Sequence, residues 1–270
     1  MGLFSRDNSS GPGVSKDTPR NSGLLRFFEI ISREYRDLMK VNSIFFLCVL
    51  PSTALFFLGL FGIIEFALML SILAAYPVGG ALAASMFCIT RMLRDDPGYI
   101  WEDFKRKFRE NLRQASIAGV IVTILLLTQI FLFWVPVLAD WEEVSILLIF
   151  AAFVFLILFL MTVPYVFLHY AYINLRTFTI VKNSTLIALS NPGRSLMGAL
   201  TGALPWATLF FFFPFSMLFF PLIPVFVFAL SWLLTLLWVW PVFNKRFSVE
   251  EAINKEREDK EKTINDQDAI

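Results

Sequence analysis

Histidine and cysteine are almost missing from this chain, which has one histidine, His169, and two cysteines, Cys48 and Cys88, in 270 residues. A cluster of His and Cys at metal-ligand spacing cannot be assembled from that supply, so the expectation is no metal site. There is no Gly-Lys-Ser/Thr phosphate loop and no pair of carboxylates inside an apolar run, which removes the usual inventory for an ATPase or an acid-base enzyme. The reading is accordingly not an enzyme, with no catalytic residue and no cofactor. Both cysteines fall within apolar runs, where a disulfide is neither needed nor favoured, and they read as small buried side chains. Basic residues are also missing, completely, from every long apolar segment.

What remains is strongly apolar, with 57% hydrophobic residues, 16% aromatic residues and 31 phenylalanines. Such a composition is too apolar for a soluble domain of this length. The 23 Lys and Arg residues fall into four segments: seven before Val41, seven from Arg91 to Arg113, three from Arg176 to Arg194 and six after Phe243. The short connections on the other side offer only Glu65, Asp140, Glu142 and Glu143. Basic residues near span ends are retained in the cytoplasm, so the pattern predicts both termini inside. Acidic residues in the same segments bring the net charge to +1, and a nucleic-acid partner has no support. No cleavable signal peptide is visible, so the first span is expected to serve as the insertion signal. The start resembles a myristoylation site only superficially, because Arg6 stands where Ser or Thr is required.

The predicted fold class is all-α, a polytopic transmembrane helical bundle. Six stretches supply the roughly 20 apolar residues a bilayer core requires, near 41–63, 66–89, 115–138, 144–172, 195–217 and 219–243. The turn between the last two is marked only by prolines from Pro214 to Pro224. Three amphipathic cytoplasmic helices are expected before spans, at about 24–40, 96–113 and 178–189, the last ending at Asn191-Pro192-Gly193. In the second, Asp96 is expected to cap, and Trp101, Phe104, Phe108 and Leu112 form one stripe. The first 23 residues, rich in Ser, Gly, Asn and Pro, are expected to be flexible, and residues 244–270 form a charged tail that can continue span six as a helix. Trp134 and Trp141 would lie at the outer boundary, and Trp238 and Trp240 at the inner one, as interfacial anchors.

Candidate functional residues fall into three groups. Tyr76, Pro77, Gly79 and Gly80 in span two, with Pro205 in span five, break helices at similar depth in two inverted halves of three spans. Matching breaks of that kind can line a transport pathway. Gly198 and Gly202 belong to the same set, but small-xxx-small pairs also permit close helix packing or dimer formation, and both readings stay open. His169 is an ionisable group within span four, a pathway candidate or a packing residue. Trp101, Phe104 and Phe108 could contact a partner, or pack on the membrane surface. ABC importer permeases dock such helices in their ATPase subunits, but the Glu-Ala-Ala pattern expected of them is absent from this loop.

Several of these stretches together resemble the YesL-like family of bacterial integral membrane proteins. They are Gly11-Pro12-Gly13-Val14-Ser15-Lys16, the Phe-rich basic helix ending at Lys40-Val41-Asn42, Pro77-Val78-Gly79-Gly80-Ala81, Trp101-Glu102-Asp103-Phe104 and Asn191-Pro192. The resemblance covers about residues 1–247 and is a distributed pattern without a catalytic signature. It implies a bacterial cytoplasmic membrane location and, because such proteins are often encoded beside sugar ABC importers, a link to carbohydrate uptake. The expected partners are the lipid bilayer, permease or ATPase subunits of such an importer, and a second copy of the chain. The alternative is an independent small-solute carrier with its pathway at the broken spans two and five.

Overall fold

In hydrocarbon a backbone satisfies its polar groups within a helix or a closed barrel, and apolar runs of this length favour the helix. A computed structural model describes residues 23–138, 146–173, 175–211 and 223–268, and no strand occurs among them. The helices are α1 (Gly23–Leu60), α2 (Ala67–Ala74), α3 (Tyr76–Leu93), α4 (Ile100–Leu138), α5 (Ile146–Tyr172), α6 (Thr177–Ser190), α7 (Pro192–Phe211), α8 (Phe228–Phe247) and α9 (Val249–Asp268). A π-helical turn, Ile223–Val227, leads into α8. Residues 1–22, Trp141 and the proline-marked turn from Pro214 to Pro221 lie outside the described residues.

Among the described residues, five segments are long and apolar enough to cross a membrane: Leu25–Leu60, Ala67–Leu93, Ile100–Leu132, Ile146–Tyr172 and Ile223–Phe247. The expected span at 195–217 begins within α7, whose described part carries Gly198, Thr201, Gly202, Pro205 and Thr208 and is correspondingly less apolar.

Two of the expected interfacial helices are not separate elements. Residues 24–40 run straight on into the first apolar segment as α1, bent at Glu34 (φ −112, ψ 15), because no Gly or Pro interrupts the helix at the polar-to-apolar border. Similarly, α4 joins the basic stretch to the third span in one helix of 39 residues, roughly 58 Å long, nearly twice the thickness of a bilayer core. It starts at Ile100 rather than at Asp96, whose carboxylate is taken by Arg94 instead of capping the helix. The third expected helix is α6 (Thr177–Ser190), a separate element, and Asn191 (φ −129, ψ 58) separates it from α7. The charged tail does not simply prolong α8. Ser248 turns left-handed (φ 49, ψ 41), and the Asn244 side chain accepts the Glu250 N–H at 2.9 Å to start α9.

Antiparallel hairpins build the bundle. Nearly every residue of α3 from Val78 to Leu93 is buried, packed between α4, α1, α5 and α8. Burial is uneven along the other helices. On α5 only Ala152 is buried before Phe159, whereas His169 and its neighbours are enclosed. Around the α1–α2 turn, Phe61, Ile63, Phe66 and Met69 are exposed apolar side chains. A surface like that is tolerated in a lipid solvent and would be a liability in water. Inside, Asn42 is fully buried in α1. Its amide donates to the Ile223 carbonyl at 2.9 Å and accepts the Ala229 N–H at 2.8 Å, supporting the backbone where the π-helical turn gives way to α8.

Candidate functional site

Charged residues from all four basic segments converge on one end of the bundle. Arg26 of α1 is buried and donates to Glu29, to the Leu93 carbonyl at 2.8 Å and to Asp95 at 2.6 Å. Arg33 reaches the other oxygen of the Asp95 carboxylate. Asp95 has a positive φ of 60°, a conformation that Asp tolerates, and this aims its carboxylate back at α1. Arg91 pairs with Asp103 and donates to the Gly98 carbonyl at 3.0 Å. A Cβ at position 98 would stand 2.7 Å from the Arg91 guanidinium, so a side chain there would displace the guanidinium from its present place across the loop.

Arg94 joins three helices. It donates to Asp96 at 2.7 Å and to the Tyr172 hydroxyl at 2.6 Å, and its guanidinium stands 5.5 Å from the ring centres of both Tyr172 and Trp240. Thr90 Oγ1 lies 2.5 Å from the same Tyr172 hydroxyl and is itself 2.7 Å from the Met86 carbonyl. Burial opposes the Arg94 charge, but Tyr172 and Asp96 outweigh it and raise its pKa above the ordinary guanidine value. The indole N–H of Trp240 donates to Glu250 at 3.0 Å, which ties α9 to α8. Trp240 is therefore an internal residue of this network instead of the lipid-facing anchor expected of it; Trp238 is half-buried.

The partner-contact stripe divides. Trp101 is 60% exposed beside the exposed Tyr99. Phe104 is only 3% exposed and stacks on Phe108 with ring centres 6.2 Å apart, and Phe108 in turn packs on the core. Residues 104 and 108 thus face α3 and cannot form a docking face. The apolar stripe has been used to join α4 to its neighbour.

Of the pathway candidates, Gly79 and Gly80 form the narrow part of the α3–α4 seam. A Cβ on Gly79 would overlap the Ala115 carbonyl and sit 3.0 Å from the Gly119 Cα; one on Gly80 would sit 3.2 Å from the Leu112 Cα. Gly198 and Gly202 make the equivalent seam against Val239, Thr235 and Ser231 of α8. Main chain lies against main chain in the first seam, and in the second the α7 main chain lies against Val239 and Thr235 side chains as well as α8 main chain, which is close helix packing. Nor do the two proposed breaks match. Tyr76 is exposed, Pro77 opens α3 after a single-residue kink at Ala75, and the amides of Ala75 and Val78 stay bonded to Ser71 and Ala75 carbonyls. Pro205 sits inside an uninterrupted α7. These residues occupy two separate seams.

His169 is fully buried on α5, edge-on to Phe243 and Phe247. Its Nδ1 lies 2.8 Å from the Tyr165 carbonyl and 3.0 Å from Ser184 Oγ on α6. The carbonyl can only accept, so Nδ1 carries the proton and has no lone pair with which to activate Ser184. The contact holds α6 onto α5. No group of three or more His, Cys, Asp or Glu able to hold a metal occurs among the described residues.

No family model, curated protein or solved structure matches this chain. Sequence reasoning missed Asn42, Arg26, Arg91 and Arg94 as structural residues. The available signal was position, since polar groups inside or at the edge of an apolar run need named partners.

Proposed function

We propose that the chain is a six-span protein of the bacterial cytoplasmic membrane, both termini inside, that acts as a non-catalytic partner subunit of a carbohydrate ABC importer. The sixth crossing is supported by the antiparallel course of α7 and α8, because Arg194 and Lys245 start and end that pair on the same basic end. The sugar link comes from the family resemblance. The observation that carries the subunit reading is the pair of exposed aromatics, Trp101 and Tyr99, standing beside the ion-paired loop from Arg94 to Asp103. Exposed aromatics on a rigid polar frame are the kind of anchor that interfaces use. Close packing at Gly79 and Gly80 against α4 main chain, and at Gly198 and Gly202 against side chains and main chain of α8, favours a packing role for these glycines over an independent carrier pathway.

The test is recovery of tagged protein from native membranes in mild detergent, with identification of co-purifying proteins by mass spectrometry. Importer permease or ATPase subunits should accompany the wild type and be depleted from a Trp101→Ala/Tyr99→Ala variant that inserts normally. Recovery of the wild type alone, in conditions that keep a known importer intact, would refute the reading.

A further inference from the structure

The cations of this protein differ in their pairing. Arg26, Arg33, Arg91, Arg94 and Arg106 each have a carboxylate partner. By contrast, Arg194, Lys245 and Arg246 are exposed, form no ion pair among the described residues, and line one groove of about 730 Å³ between the α6–α7 corner and the end of α8. No acidic residue lines that groove among the described residues, and Ser190 and Asn191 add polar groups to its lining. Three unneutralised cations around one concavity repel each other and favour an anion between them.

We propose that this groove binds the phosphate headgroup of an anionic membrane lipid. Two further features support the choice. The first intrahelical bond of α7 in this corner is donated by the Ser195 amide to the Asn191 carbonyl, so the amides of Gly193 and Arg194 precede it and remain available to an anion. A Cβ on Gly193 would meet nothing within 4 Å, so the approach to those amides is open. The surface of α6 favours a lipid over a soluble phosphate. Phe178, Val181, Leu186 and Leu189 are all exposed and share one face of that helix, and Leu186 also lines the groove. An exposed apolar face beside a basic pocket at the end of a helical bundle is where acyl chains and headgroup meet. The inference requires a membrane but no importer partner.

The probe is phosphatidylglycerol against phosphatidylcholine, titrated into detergent-purified full-length protein and read by native mass spectrometry. Phosphatidylglycerol should bind in preference to phosphatidylcholine and weaken with rising salt. A single Lys245→Gln change should weaken it about fivefold, and the Arg194→Gln/Lys245→Gln/Arg246→Gln variant on the order of a hundredfold. Removing the same charge elsewhere, as Lys105→Gln/Arg109→Gln/Arg113→Gln, should leave binding unchanged. Thermal unfolding of each variant reports on folding, and the single variant keeps the test decisive if the triple one is unstable. Equal binding by wild type and Lys245→Gln, or equal loss in the control variant, would overturn the proposal. Displacement of the lipid by millimolar inorganic phosphate would overturn the lipid assignment in favour of a soluble anion.

Discussion

Replacing Gly79 with Ala places a methyl group where α3 and α4 approach most closely. The new Cβ would lie 2.6 Å from the Ala115 carbonyl carbon and 3.0 Å from the Gly119 Cα, where ordinary contact begins at 3.4 Å. Both neighbours are main chain of a long helix, so no rotamer change relieves the overlap, and because the Ala115 carbonyl oxygen lies closer still, the helices must move apart by more than roughly 0.8 Å. Overpacking of this kind costs about 1–3 kcal/mol, and better helix propensity of Ala returns up to about 1 kcal/mol. The net expectation is a loss of about 1–2 kcal/mol, close to a tenfold change in the unfolding equilibrium. Reversible unfolding of the purified protein in mixed micelles, followed by tryptophan fluorescence, would measure it. Gly80→Ala meets the Leu112 Cα at 3.2 Å and Phe108 at an ordinary 3.4 Å, and should lose less. Gly193→Ala meets nothing and should be neutral or slightly stabilising. If Gly79→Ala proved as stable as Gly193→Ala, the seam would not be a close contact and a pathway at α3 would return to consideration.

Three other perturbations bear on the polar framework. Asp103→Asn leaves the buried Arg91 guanidinium without its carboxylate and should cost about 3 kcal/mol, most of it recovered by adding Arg91→Met; additive losses in the double-mutant cycle would refute that coupling. Trp240→Phe retains the ring but removes the hydrogen bond to Glu250, so amide exchange in residues 249–256 should rise about tenfold from the loss of ~1.5 kcal/mol, and unchanged exchange would show that α9 docks by other means. Asn42→Leu removes both contacts to the start of the last span and should cost about 1 kcal/mol in the same unfolding assay; a variant as stable as wild type would mean that those backbone groups find other partners.

How far the sequence revealed this arrangement depended on whether the signal was local. Apolar length exposed the helices, and the grouping of Lys and Arg anticipated the shared basic end, because both properties can be read along the chain. The choice at Gly79 and Gly80 could not be made there. A close helix contact and a broken helix around a solute use the same small residues, and only the Ala115 and Gly119 backbones across the seam distinguish them. Burial of Arg91 and Arg94 was hidden for a similar reason. They stand where an apolar run gives way to Asp95 and Asp96, which reads as the edge of a solvated loop, whereas their enclosing partners, Asp103, Tyr172 and Trp240, come from α4, α5 and α8. The border at Lys40 misled because a change of side-chain polarity marks a change of solvent and carries no instruction to end a helix.

Arg94 also bears on how this protein could move. A carrier that alternates access must separate helical units at each membrane face in turn. At the basic end Arg94 connects the end of α3 to Tyr172 on α5 and to Trp240 on α8, while Arg26 and Arg33 tether α1 to the adjacent Asp95. Rocking α3–α4 away from α7–α8 would strip a buried guanidinium of the Trp240 face, worth about 0.5–2 kcal/mol, and moving it away from α5 would cost the Tyr172 face and hydrogen bond as well. Separation elsewhere would have to leave these contacts intact, since the two glycine seams hold each hairpin together and Arg94 holds the hairpins to α5. A basic end tied in this way suits a subunit that presents a fixed surface to a moving partner, with Trp101 and Tyr99 on the loop and helix that the arginines position.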